Sequence, residues 1–506
     1  MTEANANLYH ALCPAPPREG VALHCHDGQM LTYRDIDALS ARLAHRIAGL
    51  GVRVGDRVAV QTGKSAEALL LYLACLRAGA VYLPLNTGYT RAELGYFIQD
   101  AEPRLFVAAP DAEPGLRDLA AGAGAVLVTL GDGGRGGSLL DGVAELPGHF
   151  DTVARQADDL AAILYTSGTT GRPKGAMLSH GNLHSNAATL AREWRFTADD
   201  ALLHALPIYH THGLFVATNV SLLSGASIHL LPKFDPDAVF AALPRASVMM
   251  GVPTFYTRLL ADPRLTRAAA AHMRLFISGS APLLAQTHRE WEARTGQRIL
   301  ERYGMTETNM NTSNPYDGER RPGTVGPPLP GVTIRVVEPD SGRPLPPGAI
   351  GMIEVRGPNV FSGYWRKPEQ TAADFRADGF FITGDLGRQS EDSYVEIVGR
   401  GKDLVISGGL NVYPKEVEQE LDALESVVES AVIGLPHPDL GEAVTAVVEP
   451  SPAAGEDEQA ILNALRERLA GFKLPKRVLF VDALPRNAMG KVQKNLLREN
   501  YAGLYG

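Results

Sequence analysis

Short apolar runs recur along the chain, separated by stretches in which apolar residues return every three or four positions. The segment 65–85, SAEALLLYLACLRAGAVYLPL, predicts a helix stopped at Gly79 and then a strand over Ala80–Leu83. AVLVTL (125–130) and AAILYT (161–166) predict buried strands, and GASIHLLP, ASVMMGVP and MRLFISGS repeat the style further on. Short apolar strands alternating with helices predict parallel sheets covered on both faces. After about residue 330 the texture changes to shorter, alternating strands such as GMIEVRG and SYVEIVGR. A polar, glycine-bearing crossing, GRGKDLVISGGLNVYP, follows near residue 400. Beyond it a compact α+β pattern begins: a helix over 413–424, strands SAVIGL and AVTAVV, a helix carrying Ile461, Leu462, Leu465 and Leu469, and a strand RVLFV. A stretch of about 100 residues with its own core makes a small domain. The boundary is expected at 399–403, dividing the chain into residues 1–400 and 401–506.

The bulk numbers narrow the function classes. Apolar residues make up 45% and charged residues 21% of the 506, an ordinary globular balance. A net charge of −9 argues against a nucleic-acid partner read through a basic surface. Three cysteines, Cys13, Cys25 and Cys75, cannot form a disulfide framework for a chain of this size, so a reducing cytoplasm is expected. Cys75 lies among leucines and is read as a buried thiol. The N-terminal stretch lacks the basic start and apolar core of a signal peptide, and no run approaches the ~20 apolar residues that span a bilayer. No membrane partner is expected.

Candidate chemistry starts at TSGTTGRPKG (166–175). Backbone N–H groups of a glycine-rich turn converge on phosphate oxygens, and Ser and Thr hydroxyls add donors. Gly168, Gly171 and Gly175 allow tight backbone, Thr166, Ser167, Thr169 and Thr170 supply hydroxyls, and Lys174 supplies a cation. This is not a Walker loop, because Pro173 stands where a glycine should precede the lysine. Further motifs follow in order: YHTHG (209–213), SGSAP (278–282), YGMTET (303–308), TGD (383–385), GRGKD (399–403), SGGLNVYP (407–414) and PRNAMGKVQK (485–494). Together they resemble the adenylate-forming superfamily that includes acyl-CoA synthetases and firefly luciferase, over nearly the whole chain. The wording around LPIYHTHGLFVATN and ERYGMTETNMNTSNPYDG is closest to its malonate–CoA ligase branch.

The resemblance implies an α/β fold: a large N-terminal domain of parallel-rich sheets flanked by helices, a small β-barrel-like subdomain, and a small mobile C-terminal α+β domain. It implies ATP, Mg²⁺ and coenzyme A as the small molecules used. A carboxylate attacks the α-phosphate of ATP to give an acyl-adenylate and pyrophosphate, and a thiol then displaces AMP. Both steps gather negative charge on crowded oxygens, so fixed donors and cations should supply most of the catalysis. Carried over residue by residue, Thr166–Thr170 and Lys174 hold the β- and γ-phosphates. Tyr303 stacks on adenine beside Ser280 and Ala281, with Gly304 and Met305 in the same loop. Thr306 donates to the α-phosphate, and Glu307 ligates Mg²⁺. Asp385 and Arg400 hold the ribose. Lys491 bridges the attacking carboxylate and the α-phosphate, with Lys494 as its competitor. Lys402 marks the hinge, and Gly408 and Gly409 wall a pantetheine tunnel after rotation. Lys491 is also where a regulatory acyltransferase would act.

A short dicarboxylate needs a cation for its distal carboxylate, since an unpaired buried charge costs several kcal/mol. VPTFYTRLL (252–260) puts Arg258 on a helix with Phe255 and Leu259, on the expected buried side, where a guanidinium can grip a carboxylate bidentately. Ser278 or Ser280 would add a hydroxyl, His210 would stand at the pocket mouth, and Arg302 is the reserve cation. The expected reaction is ATP-dependent ligation of malonate, or a close homologue such as methylmalonate, to coenzyme A. Loading of a separate carrier protein, or ligation of another short carboxylic acid, is the alternative. Two other patterns carry less. GDGGRG (131–136) fits G-x-G-x-x-G, but a dinucleotide fingerprint also needs a helix opening at once and an acidic residue about 20 positions on, and five glycines in seven residues read rather as a mobile connection. His204, His210 and His212 lack the spacing and companion ligands of a metal site.

Overall fold

The helix Ala66–Ala78 starts at Ser65, whose hydroxyl accepts from the Ala68 N–H, and ends at Gly79 with φ 68°. That left-handed geometry suits a residue without Cβ and stops the helix as the spacing predicts. All its residues but Glu67 are buried, as expected of a helix apolar on every side. It packs in a core drawn from two sheets: Val58, Tyr82 and Leu105 from one, Leu23, Ile228 and Leu230 from the other. Each such leucine stabilises the fold by about 2 kcal/mol relative to exposure.

This computed structural model describes residues 5–166, 173–407, 410–452, 455–487 and 490–506. The first sheet has six strands, ordered Val126–Thr129, Leu105–Ala108, Arg57–Gln61, Val81–Pro84, Leu160–Thr166 and Lys174–Ser179. All pairs are parallel except the last, an antiparallel pair in which Thr166 faces Lys174. The second has eight, ordered Asn309–Ser313, Leu300–Met305, Leu275–Ser278, Val248–Gly251, Ala201–His204, Ser227–Leu230, Val21–Cys25 and Met30–Thr32. Its interior pairs are parallel and both edge pairs antiparallel. Parallel strands place their carboxyl ends along one rim, where ligands of open α/β sheets gather. Here the register aligns His204 with Met250, Gly251 with Ser278, and Ser278 with Glu301.

The barrel-like subdomain is a four-stranded antiparallel sheet, Thr333–Val337, Gly351–Arg356, Phe381–Gln389 and Val395–Arg400. One crossing later, Val405–Ser407 opens a five-stranded sheet in which Val427–His437 and Gly441–Pro450 pair antiparallel and Arg477–Phe480 pairs parallel. Its core of Val405, Val417, Leu421, Val432, Val444 and Leu465 is its own. Residues 131–136 form a short turn, Asp132–Gly134, with no helix opening behind it, so the dinucleotide fingerprint has no structural counterpart. Cys75 is fully buried. No helix among the described residues is long and apolar enough to cross a membrane.

Candidate active site

Three distant segments converge at one carboxylate. Asp385 and Arg400 lie directly opposite each other on adjacent antiparallel strands. Arg400 Nε donates to Asp385 Oδ1 at 2.8 Å, and the Tyr303 hydroxyl donates to Asp385 Oδ2 at 2.5 Å. Burial and the neighbouring Asp385 push the Tyr303 phenol well above its ordinary value, so it remains a donor. The half-buried ring is thereby anchored through its hydroxyl to a buried carboxylate. Behind it Gly304 is obligatory, because a Cβ there would overlap the Asn309 carbonyl oxygen at 1.8 Å. Met305 ends the strand, and Thr306 sits in the following turn, which is not a helix start. Ser280 has φ 72°, a strained value for a side chain with Cβ, at the rim beside half-buried Ala281.

Glu307 is the metal candidate. It is buried, and its Oε1 accepts from Thr166 Oγ1 and from the Tyr364 hydroxyl, each at 3.2 Å. Burial raises its pKa above the carboxylate range. Among the described residues its hydrogen-bond partners are neutral hydroxyls and the Arg400 charge acts without a direct pairing, so the carboxylate is an incomplete charge site. A hard divalent cation completes it, and Mg²⁺ is commonly held by one or two carboxylates plus substrate phosphates. The residues therefore fit Mg²⁺. The three histidines do not: among the described residues no group of three or more His, Cys, Asp or Glu could hold a metal ion.

Lys174 corrects the sequence expectation. Its ammonium turns into the lobe, 3.1 Å from Asp374 and 4.1 Å above the Tyr364 ring, and the residue is buried. Ser167, Gly168, Thr169 and Thr170 lie outside the described residues, as do Gly408 and Gly409. Tyr364 and Asp374 join the site unforeseen. Neither has periodicity or a motif to mark it; only the isolated aromatic run GYW in a polar stretch hints at Tyr364.

The acyl side of the rim is built around Arg302. This guanidinium is 2% exposed, and its Nε and one terminal nitrogen have no partner among the described residues. It underlies Gly279, where a Cβ would meet its Cζ at 2.5 Å. Burial pulls its pKa down to about 9, which leaves it charged at neutral pH. Buried Ser278, Thr211 and His212 also hold unpartnered polar atoms. His212 Nδ1 lies 3.2 Å from Ser280 Oγ, and the His212 N–H donates to His210 Nδ1 at 3.3 Å. Burial and Arg302 hold His210 at about 4, hence neutral. His212 opens a π-helical turn, His212–Thr218, a form that recurs at functional sites, and His210 lies two residues before it.

Arg258 is exposed, contrary to the expected burial. The helix Pro253–Leu260 turns Tyr256 and Leu259 inward, which leaves Thr257 and Arg258 outside. Nor is it in a structural ion pair: among the described residues it has no partner. One turn earlier, Thr254 abuts Gly490 of the small lobe.

Gly490 adjoins Lys491, which enters the same cleft near Arg400, Asp385, Lys402 and Asp403. Withdrawal from bulk water and the Arg400 charge lower its pKa to about 8. The residue keeps solvent-accessible surface. Lys494 is committed elsewhere, 2.6 Å from Glu418. Lys402 is exposed in the crossing turn Gly401–Asp403.

The geometry is matched by known proteins. The family model "AMP-binding enzyme" covers residues 13–365, and "AMP-binding enzyme C-terminal domain" covers 416–491. Among solved structures, ATP-bound MatB from Rhodopseudomonas palustris is 61% identical, with TM-score 0.98 over 99% of this chain and 100% of that one. The apo form of that protein, at the same identity and coverage, gives 0.86, so the lobes here sit as in the ATP-bound form. Malonate–CoA ligase of Arabidopsis thaliana is 36% identical over 89% of this chain and 79% of its own length. Feruloyl-CoA synthase of an Amycolatopsis species is 38% identical over 94% and 95%. Relatives at similar identity thus activate unlike acids, and the overall likeness does not by itself choose the acid. What it does establish is membership: the chain belongs to the AMP-binding enzyme family of adenylate-forming ligases.

Proposed function

We propose that this protein ligates malonate to coenzyme A at the expense of ATP. A malonate oxygen attacks the α-phosphate, forming the P–O bond of malonyl-adenylate as the bond to pyrophosphate breaks. The coenzyme A thiolate then attacks the acyl carbon and AMP leaves. Tyr303 offers a ring face to adenine, and Asp385 accepts from ribose hydroxyls while Arg400 holds it in place. Thr306 donates to the α-phosphate, and Lys491 neutralises charge shared between the entering carboxylate and that phosphate. Glu307 would hold Mg²⁺, which draws charge from phosphate oxygens. Lys174, with Asp374 and Tyr364, braces Glu307 from behind, and the phosphate grip falls to Thr166 and the loop that follows it. The nearness of Lys491 to Asp385 and Arg400 supports the adenylating role.

The observation that carries the choice of acid is Arg302, a buried guanidinium with unused donors beside Ser278, Ser280, His210 and His212. A fatty-acid pocket has no use for such a charge, whereas a second carboxylate pairs it. Arg258, uncommitted on the cleft side of its helix, supplies the second arm at the rim.

The chain divides at 400/401 into a large body and a C-terminal one that turns about Lys402, bringing Gly408 and Gly409 to the thiol's path. The free cysteines suit a reducing cytoplasm. An acyltransferase modifying Lys491 would remove the charge and stop the first step. The test is pyrophosphate release across an acid panel with free coenzyme A. Malonate should lead acetate and medium-chain acids, and Arg302→Leu should lower malonate turnover at least about 100-fold while sparing neutral short acids. A panel led by medium-chain acids would end this reading.

A further inference from the structure

The loop that carries Lys491 is held more tightly than its exposure suggests. Lys491 N–H donates to Asn487 Oδ1 at 3.0 Å, and the Asn487 N–H donates to the Lys491 carbonyl at 2.9 Å. Gly490 N–H closes the turn on the Asn487 carbonyl at 2.8 Å. Arg486 pairs across the turn with Val492, donates through Nη1 to the Gly490 carbonyl at 2.8 Å, and forms an ion pair with Glu429 through its other terminal nitrogen. Glu429 belongs to the long strand Val427–His437, so Arg486 ties the turn to the central antiparallel pair of the small lobe.

The far side of the turn rests on the other lobe. Gly490 has φ 74°, and a Cβ there would lie 2.9 Å from Thr254 Oγ1 and 3.0 Å from its methyl carbon. Thr254 stands in the first turn of the helix that also carries Arg258. The backbone next to the reactive amine therefore touches, with no side chain between, the helix that walls the acid pocket.

We propose that Arg486 is a positioning residue for Lys491, and that the Gly490–Thr254 contact is the stop that sets how far the amine enters the cleft. This rests on the reading in which Lys491 serves adenylation and leaves the site for thioester formation. A rigid turn pressed on a fixed helix gives the ammonium one depth. An error of about 1 Å in a reacting group costs about 100-fold, so the gauge acts on the first half-reaction alone.

The experiment measures both halves separately on the full chain: malonate-dependent exchange of pyrophosphate into ATP, and thioester formation from supplied malonyl-adenylate and coenzyme A. Arg486→Met should lower exchange about 10–100-fold through kcat, with the KM for ATP unchanged and thioester formation within about twofold. Arg486→Lys, which can still reach Glu429, should recover part of the loss. Gly490→Ala should impair exchange both through its left-handed backbone (φ 74°) and through the Thr254 clash, and Thr254→Gly added to it should restore the part due to the clash, about threefold or more. Equal loss of both halves in Arg486→Met, or no rescue of Gly490→Ala by Thr254→Gly, overturns the proposal. Lys491→Ala is the control: if it damages both halves alike, the adenylation reading itself falls. If it splits them and Arg486→Met does not, only the gauge is wrong.

Discussion

Lys174 and Lys491 both sit beside glycine in motifs of similar look, PKG and GKV, yet their surroundings could hardly differ more. Lys174 is buried, faces Asp374 at 3.1 Å and lies over an aromatic ring. Lys491 keeps solvent access, and among the described residues no carboxylate is paired with it, although Asp385 and Asp403 are near enough to be felt. Burial and the Arg400 charge lower its pKa to about 8. Motif company therefore does not decide a lysine's task; the availability of a counter-charge does. A neutralised cation braces its neighbours, while an unsatisfied one is free to meet an anion that arrives.

The sharpest way to break this contrast is Lys491→Ala. Exchange of pyrophosphate should fall by about 10³-fold or more, and thioester formation from supplied adenylate should stay largely intact. Loss of both in equal measure would put Lys491 on the same footing as a brace. Lys174→Met should cost less, about 10–100-fold, because it acts through the placement of Tyr364 and Glu307. Its mark is a raised Mg²⁺ requirement, measured as the concentration giving half-maximal exchange. The pH profile separates the two further. Lys491 is charged below about 8 and neutral above, so kcat/KM for exchange should be flat on the acid side and fall up to about tenfold per unit beyond that value. Lys491→Arg, charged at every working pH, should carry whatever activity it retains without that fall. Asp374→Asn is the mildest: a drop of only a few-fold in exchange, since the ring face of Tyr364 still holds the ammonium, read together with a lowered thermal midpoint.

Much of this fold was legible because local signals agreed. The apolar run 66–78 ends at a glycine where the spacing stops the helix, and the apolar positions after residue 405 gather into a cluster of their own. The site was legible in kind but not in arrangement. No pattern could tell that Tyr303, Asp385 and Arg400 meet, since their contact depends on how two sheets pack. Arg258 was misread because Phe255 and Leu259 mark an apolar stripe without fixing its edge; the helix turns Tyr256 and Leu259 inward. Arg302 has the reverse history. Held in the sequence only as the reserve cation, it is the one of the two that the fold buries, with cleared space at Gly279 and unpartnered atoms on Ser278, His212 and Thr211.

The pairing of Thr166 with Lys174 has a consequence for nucleotide affinity. Among the described residues, the segments on either side of the stretch between them are two antiparallel strands rather than a strand and a helix, and strand dipoles nearly cancel. The attraction must then come from hydroxyls and from ions carried in with the substrate. Nucleotide stripped of divalent metal should lose a larger share of its binding here than at a site seated on a helix, and the spent pyrophosphate should depart as soon as its cation does.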